Sequence, residues 1–159
     1  MRRYLVIVAV LAFHSANAQV ARVIKFDELE SILKSESDDL LVINFWATWC
    51  GPCVKELPLF EALTAKNDPA LKVFLINLDY ADQIDKVNAF IARKKMKSEV
   101  LLLDETDYNA WIDRVDTSWA GAIPATLILN AKTGQRKFIA KEMANGELES
   151  YIEAVRAGL

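Results

Sequence analysis

The run LLVINF, Leu40 to Phe45, constrains the chain more than any other stretch. It is apolar at nearly every position and β-branched in its middle. A strand with one wet face alternates apolar and polar residues, and this one does not. It reads as a central strand covered on both sides. A sheet covered on both faces needs layers of helix, which sets the class as α/β. Leu71 to Leu78 (LKVFLINL), Val100 to Leu103 and Ala125 to Leu129 repeat the pattern. Arg136 to Ala140 returns antiparallel after a turn around Gly134. Arg22 to Phe26 (RVIKF) alternates apolar and basic residues, as an edge strand does. Five helices are expected between and after these strands. Leu29, Ile32 and Leu33 form the stripe of the first, with Asp27 and Glu30 spaced as a capping box. The second runs from about Cys50 to Lys66, with a kink expected at Pro58. Ile84, Val87, Phe90 and Ile91 mark the third. Asp107 to Val115 is the short fourth, with Trp111 and Ile112 inward. Gly146 to Ala157 is the last. The order predicts a mixed sheet between helical layers.

At 159 residues the chain is long enough for one domain with a self-sufficient core. Its first eighteen residues stand apart. Arg2 and Arg3 precede an apolar run from Tyr4 to Phe13, and Ala16-Asn17-Ala18 has the small-x-small form of a cleavage site. Residues 1–18 therefore read as a secretory signal peptide that is cleaved, and residues 19–159 as the single domain. The alternative is an uncleaved anchor that holds the domain on the periplasmic side of a membrane. Cleavage removes two arginines and no acid, moving the net charge from −3 to −5. An acidic balance argues against a nucleic-acid partner.

Cleavage would also remove His14, the only histidine. Two cysteines, Cys50 and Cys53, then remain as the soft ligands of the chain. A zinc or iron–sulfur site needs about four ligands, so no metal is expected. A structural disulfide between the two would close a very small loop and stabilise little. A redox pair fits better. Both cysteines fall in the first turn of a helix that follows a buried strand. Unpaired N–H groups and the helix dipole there favour a thiolate on Cys50. Pro52 is tolerated in that turn, and Gly51 lets another backbone approach. Cys53, one turn in, would be more buried and would resolve a mixed disulfide made by Cys50.

FWATWCGPCVKELP, with Pro58 five residues past Cys53 and Ile123-Pro124 opening a later strand, resembles the active-site segment of the thioredoxin superfamily. The resemblance is closest to the TlpA/ResA-like extracytoplasmic thiol–disulfide oxidoreductases and covers residues 22–158. It implies a thioredoxin-like three-layer sandwich with a helix–strand segment inserted between Leu78 and Val115. It makes Cys50 the attacking thiol, Cys53 the resolving thiol, and Trp49 a flanking side chain. Pro124 matches a cis-proline facing the cysteines, and Ile123 would offer backbone groups to an extended partner chain. Glu56 occupies a place where this group often has a glutamate. It either tunes or relays the proton of Cys53, or it faces solvent as a partner for a lysine. Asn44 stands where many thioredoxins have a buried aspartate, and Leu75 where they have a lysine. Ala140 and Lys141 replace a usual glycine, which would narrow the partner groove.

Gly51-Pro52 between the cysteines is the dipeptide of reducing thioredoxins, and no histidine is present there to stabilise the thiolate further. The resemblance thus implies a monomeric reductant of disulfides in extracytoplasmic proteins, with cytochrome c maturation as one setting. It would use no cofactor and would be recharged by a membrane electron donor. A thiol peroxidase and a non-catalytic binding or chaperone module are the alternatives.

Overall fold

A computed structural model describes residues 19–37 and 39–158. The expected signal peptide, residues 1–18, lies outside the described residues. In chain order the elements are β1 (Arg22–Ile24), α1 (Phe26–Leu33), β2 (Leu40–Trp46), α2 (Gly51–Ala65), β3 (Leu71–Asn77), α3 (Ile84–Lys94) and β4 (Glu99–Leu103). They continue as α4 (Ile112–Val115), β5 (Ala125–Asn130), β6 (Arg136–Ile139) and α5 (Glu147–Ala157). The six strands form one sheet in the order β1-β4-β3-β2-β5-β6. β1, β4, β3 and β2 run parallel, whereas β5 and β6 pair antiparallel.

The side chains of β2 show why the sheet needs two covers. Leu40, Val42 and Trp46 pack on one face with Phe60 of α2, Phe90 of α3 and Ile152 of α5. Leu41, Ile43 and Phe45 pack on the other with Leu29 of α1, Val115 of α4 and Trp111. Every residue of β2 is buried. The result is the three-layer α/β sandwich that the resemblance implies. The inserted segment is α3 with β4, and β4 lies between β1 and β3. α2 runs from Gly51 to Ala65 through Pro58, which sits on the exposed side of the helix.

The first helix departs from expectation. No capping box forms around Asp27. α1 begins at Phe26 with Lys25 as its N-cap, and no side chain of its own caps it. Glu105, on the loop after β4, accepts the Phe26 N–H at 3.1 Å instead. Phe26 is buried against Trp111, with ring centroids 5.9 Å apart. Placing that ring in the core starts the helix two residues early and leaves Asp27 in the first turn. Glu30 is engaged by Lys34 at 2.9 Å and Arg114 at 2.6 Å. The expected single helix over Asp107 to Val115 also divides, into a 3-10 turn at Tyr108–Ala110 and α4. Trp111 at the junction turns into an aromatic group with Phe45 and Trp119.

One end of the sheet gathers the loops that matter. The carboxyl ends of β2, β3 and β4 point the same way. β5 starts at that end, because Phe45 pairs with Ala125 and Leu40 with Asn130. Crevices outside the carboxyl ends of parallel strands are the usual sites of α/β sheets.

Phe60 is fully buried between α2 and the sheet. Phe60→Ala should lower stability by about 3–5 kcal/mol. Urea unfolding should show a lower midpoint with an unchanged slope; an unshifted midpoint would contradict the packing described.

Candidate redox site

β2 ends at Trp46, and Ala47 to Cys50 make the turn into α2. The Cys50 N–H donates to the Ala47 carbonyl at 3.1 Å. Cys50 is the N-cap of α2, and its sulfur accepts the Cys53 N–H at 3.3 Å. Pro52 occupies the first turn, where a missing N–H costs nothing. The two cysteines are joined as a disulfide with Cα atoms 5.3 Å apart. Cys50 is 6 % exposed and Cys53 is fully buried, so Cys50 is the accessible sulfur. Nothing lies within 4 Å of where a Cβ on Gly51 would stand, so the approach beside the disulfide is open.

The turn before Cys50 is held from the neighbouring strand. Asp79, buried just past β3, accepts the Thr48 N–H at 2.7 Å and the Thr48 hydroxyl at 2.6 Å. Asn77 donates to the same carboxylate at 2.9 Å, and Lys86 approaches it at 3.4 Å. Burial alone would push the Asp79 carboxyl up. The two Thr48 donors, the Asn77 amide and the Lys86 cation outweigh it and hold Asp79 below the ordinary range. Asp79 thus fixes the backbone that presents Trp49 and Cys50.

A second polar group lies behind the helix. Asn44 sits opposite Leu75 on β3 and Thr126 on β5. Its amide donates to Glu56 at 2.8 Å and to the Thr126 hydroxyl at 3.0 Å. The other Glu56 oxygen accepts the Met143 N–H at 2.8 Å. Burial pushes the Glu56 carboxyl up, and the Met143 N–H and the Asn44 amide only partly oppose it. Glu56 is therefore not a solvent-facing partner of a lysine. Lys55 next to it pairs with Glu142 at 2.5 Å. Glu56 lies three residues after Cys53 in α2, a spacing that makes them neighbours on the helix surface.

The Ile123–Pro124 peptide is cis. Pro124 is buried directly before β5, beside the end of β2 from which the cysteine turn departs. Ile123 packs against the core cluster that contains Cys50 and Cys53. The Trp119 indole N–H donates to the Ala122 carbonyl at 2.8 Å and closes the loop from behind. Cys50, Cys53, Trp49, Gly51, Pro52, Ile123 and Pro124 therefore meet at one end of the sheet, with Glu56 beneath them.

Residues 29–137 match the redoxin family. The chain belongs to the redoxin family. This redoxin is 28 % identical over 125 residues to the thioredoxin-like protein YneN of Bacillus subtilis, covering 78 % of this chain and 69 % of YneN. It is 39 % identical over 66 residues to a thioredoxin of Ictalurus punctatus, covering 42 % of this chain but 61 % of that protein. In fold the redoxin is similar to the thioredoxin-related protein of Neisseria meningitidis serogroup B. The TM-score is 0.64 at 24 % identity, over 79 % of this chain and 90 % of the other. It is also similar to a secreted Mycobacterium tuberculosis disulfide oxidoreductase homologous to E. coli DsbE. There the TM-score is 0.54 at 23 % identity, over 77 % and 84 % of the two chains. The redoxin has the thioredoxin-like fold and carries the Cys-X-X-Cys disulfide of the thiol–disulfide oxidoreductases. No helix among the described residues is long and apolar enough to cross a membrane.

Asp79 and Thr48 are absent from the residues that sequence reasoning singles out. A signal existed, because Asn77-x-Asp79 spans the end of a buried strand, a place where Asx side chains close turns. The Met143 N–H on Glu56 left no such trace, since a backbone donor carries no residue type.

The two carboxylates should have opposite effects on stability. The raised Glu56 contributes stability that is complete below its ordinary value of 4.5 and is lost as pH rises through its folded value. Glu56→Gln cannot ionise, so its stability relative to wild type should rise with pH in denaturant titrations; a flat difference would contradict the burial. The lowered Asp79 contributes stability that is present above its ordinary 3.8 and fades as pH falls. Asp79→Asn, which keeps one acceptor oxygen and leaves one Thr48 donor unpaired, should lose about 1–3 kcal/mol at neutral pH and progressively less in acid. An equal loss at every pH would contradict the ionised clamp.

Proposed function

We propose that this redoxin reduces disulfides in extracytoplasmic proteins. The observation that carries the reading is the placement of Cys50. Its sulfur caps a helix N-terminus at the open end of the sheet, while Cys53 is sealed beneath it. Gly51-Pro52 supplies no extra stabilisation of the thiolate, and no histidine stands among the described residues to do so. The buried carboxylate of Asp79, bonded to the Thr48 backbone two residues before Cys50, opposes it further. A less stabilised thiolate makes a stronger reductant.

In the forward reaction the Cys50 thiolate attacks one sulfur of a partner disulfide. The partner S–S bond breaks, and its second sulfur leaves as a thiolate. The Cys53 thiol gives up its proton, and Cys53 attacks the Cys50 sulfur. The mixed disulfide breaks and releases the other partner thiolate. The partner gains two electrons and two protons, and the pair ends as the disulfide of this structure. Glu56, held by Asn44 and Met143 three residues after Cys53, would take the Cys53 proton as a carboxylate, and its burial strengthens its hold on that proton. An asparagine at position 44 cannot do so. Trp49 and the Ile123–Pro124 loop hold the partner chain. A membrane dithiol donor on the same side recharges the pair. The signal-like residues 1–18 support the compartment, and delivery of reduced cysteines for cytochrome c maturation is one setting.

Cys53→Ala should accumulate mixed disulfides on Cys50, visible as reducible adducts on gels, whereas the Cys50→Ala variant should not. The reduction potential should lie nearer the roughly −270 mV of thioredoxin than the roughly −120 mV of a strong periplasmic oxidant. Equilibration with glutathione at the latter value would sink the reductant reading.

A further inference from the structure

Trp49, Tyr80 and Tyr108 are 65 %, 60 % and 43 % exposed, and they are three of the five large apolar side chains left open among the described residues. They belong to three loops at one end of the sheet. Trp49 follows β2, Tyr80 follows β3 and Tyr108 follows β4, and these strands are parallel neighbours. The hydrogen bonds between Thr48 and Asp79 join the residues directly before Trp49 and Tyr80. Tyr80 and Tyr108 in turn line one cleft. From the Pro124 loop across Cys50 to the Tyr108 loop is three strand spacings. At about 4.8 Å each this is about 15 Å, the reach of four or five extended residues.

The charge along this strip is one-sided. Residues 78–85 and 104–113 contain seven carboxylates and no lysine or arginine. Lys86 approaches Asp79 at 3.4 Å, Lys25 approaches Asp104 at 2.8 Å and Arg114 follows Asp113, so three cations stand in or beside these segments against seven carboxylates. Asp82 and Asp107 stand within two residues of Tyr80 and Tyr108 in the chain.

We infer that this aromatic strip is a docking track for an extended, lysine- or arginine-bearing segment of the partner polypeptide, running from Cys50 toward Tyr108. The inference rests on the reductant reading and adds which partner sequences the site takes. Aliphatic stems of lysine and arginine lie well on aromatic rings, and their charged heads gain from the ring faces. The carboxylate surplus steers such segments in and repels acidic ones. The track lies at the same end of the sheet as Cys50 and Pro124, and the Thr48–Asp79 bonds join its Tyr80 loop to the cysteine turn.

The test uses the pre-reduced protein and three substrates: neutral hydroxyethyl disulfide, and two peptide disulfides alike except for lysines or glutamates within five residues of the cysteine. Stopped-flow rate constants should favour the lysine peptide by about tenfold at low salt, and the preference should collapse near roughly 0.5 M salt. In the double variant Tyr80→Ser, Tyr108→Ser the ratio of lysine-peptide to hydroxyethyl-disulfide rates should fall about fivefold, through weaker saturation. Equal rates on the two peptides, with hydroxyethyl disulfide still reduced, would overturn this inference alone. Failure to reduce any of the three would overturn the reductant reading and the track with it. A dimer that the double variant dissolves would assign the strip to a second copy and overturn the proposal as well.

Discussion

Because β2 has no wet face, every other element is placed by the need to cover it. Its even residues require α2, α3 and α5, and its odd residues require α1 and α4. The same burial brings the strand to an abrupt polar end at Ala47 to Cys50, where backbone groups must find partners at once. They find them in the first turn of α2 and in Asp79. The Cys50 sulfur stands at this junction, between the first turn of α2 and the Asp79 clamp on Thr48.

Polar groups in such a core cost least where donors and acceptors meet, although the Asn44 Oδ1 and the Trp46 and Trp111 indole N–H groups find no partner among the described residues. Asn44 is the one polar side chain of β2, and it spends its amide on Glu56 and Thr126. That links the strand, the cysteine helix and β5 through one cluster, and Met143 adds the segment before α5. The two buried carboxylates near the cysteines are then tuned in opposite directions. Glu56 has few donors for its depth and leans toward its neutral form. Asp79 is surrounded by donors and stays charged.

The fold was legible because its signals are local. β-branched runs, the 3.6-residue spacing of Ile84, Val87 and Ile91, and the turn at Gly134 each act within a few residues. The cysteine pair was legible for the same reason. What was not legible came from distant partners. Asp27 and Glu30 have the spacing of a cap, yet the burial of Phe26 and the carboxylate of Glu105, 79 positions away, decide where α1 begins. Glu56 could be read as buried or as exposed, because three-residue spacing from Cys53 places it on a neighbouring face and says nothing of what covers that face. Thr48 carries no pattern at all until β3 brings Asp79 beside it.

The two margins of the sheet are short, three residues in β1 and four in β6. β6 opens with Arg136 and Lys137, and the Arg22 side chain of β1 pairs with Glu28. A long, flat, apolar margin would invite any extended chain to add as another strand, and brief charged margins discourage it. Under the proposed function, this confines the strand-like contacts of partner chains to the cysteine end. A reduced partner can then leave in solution instead of seeding a shared aggregate along the flank of the sheet.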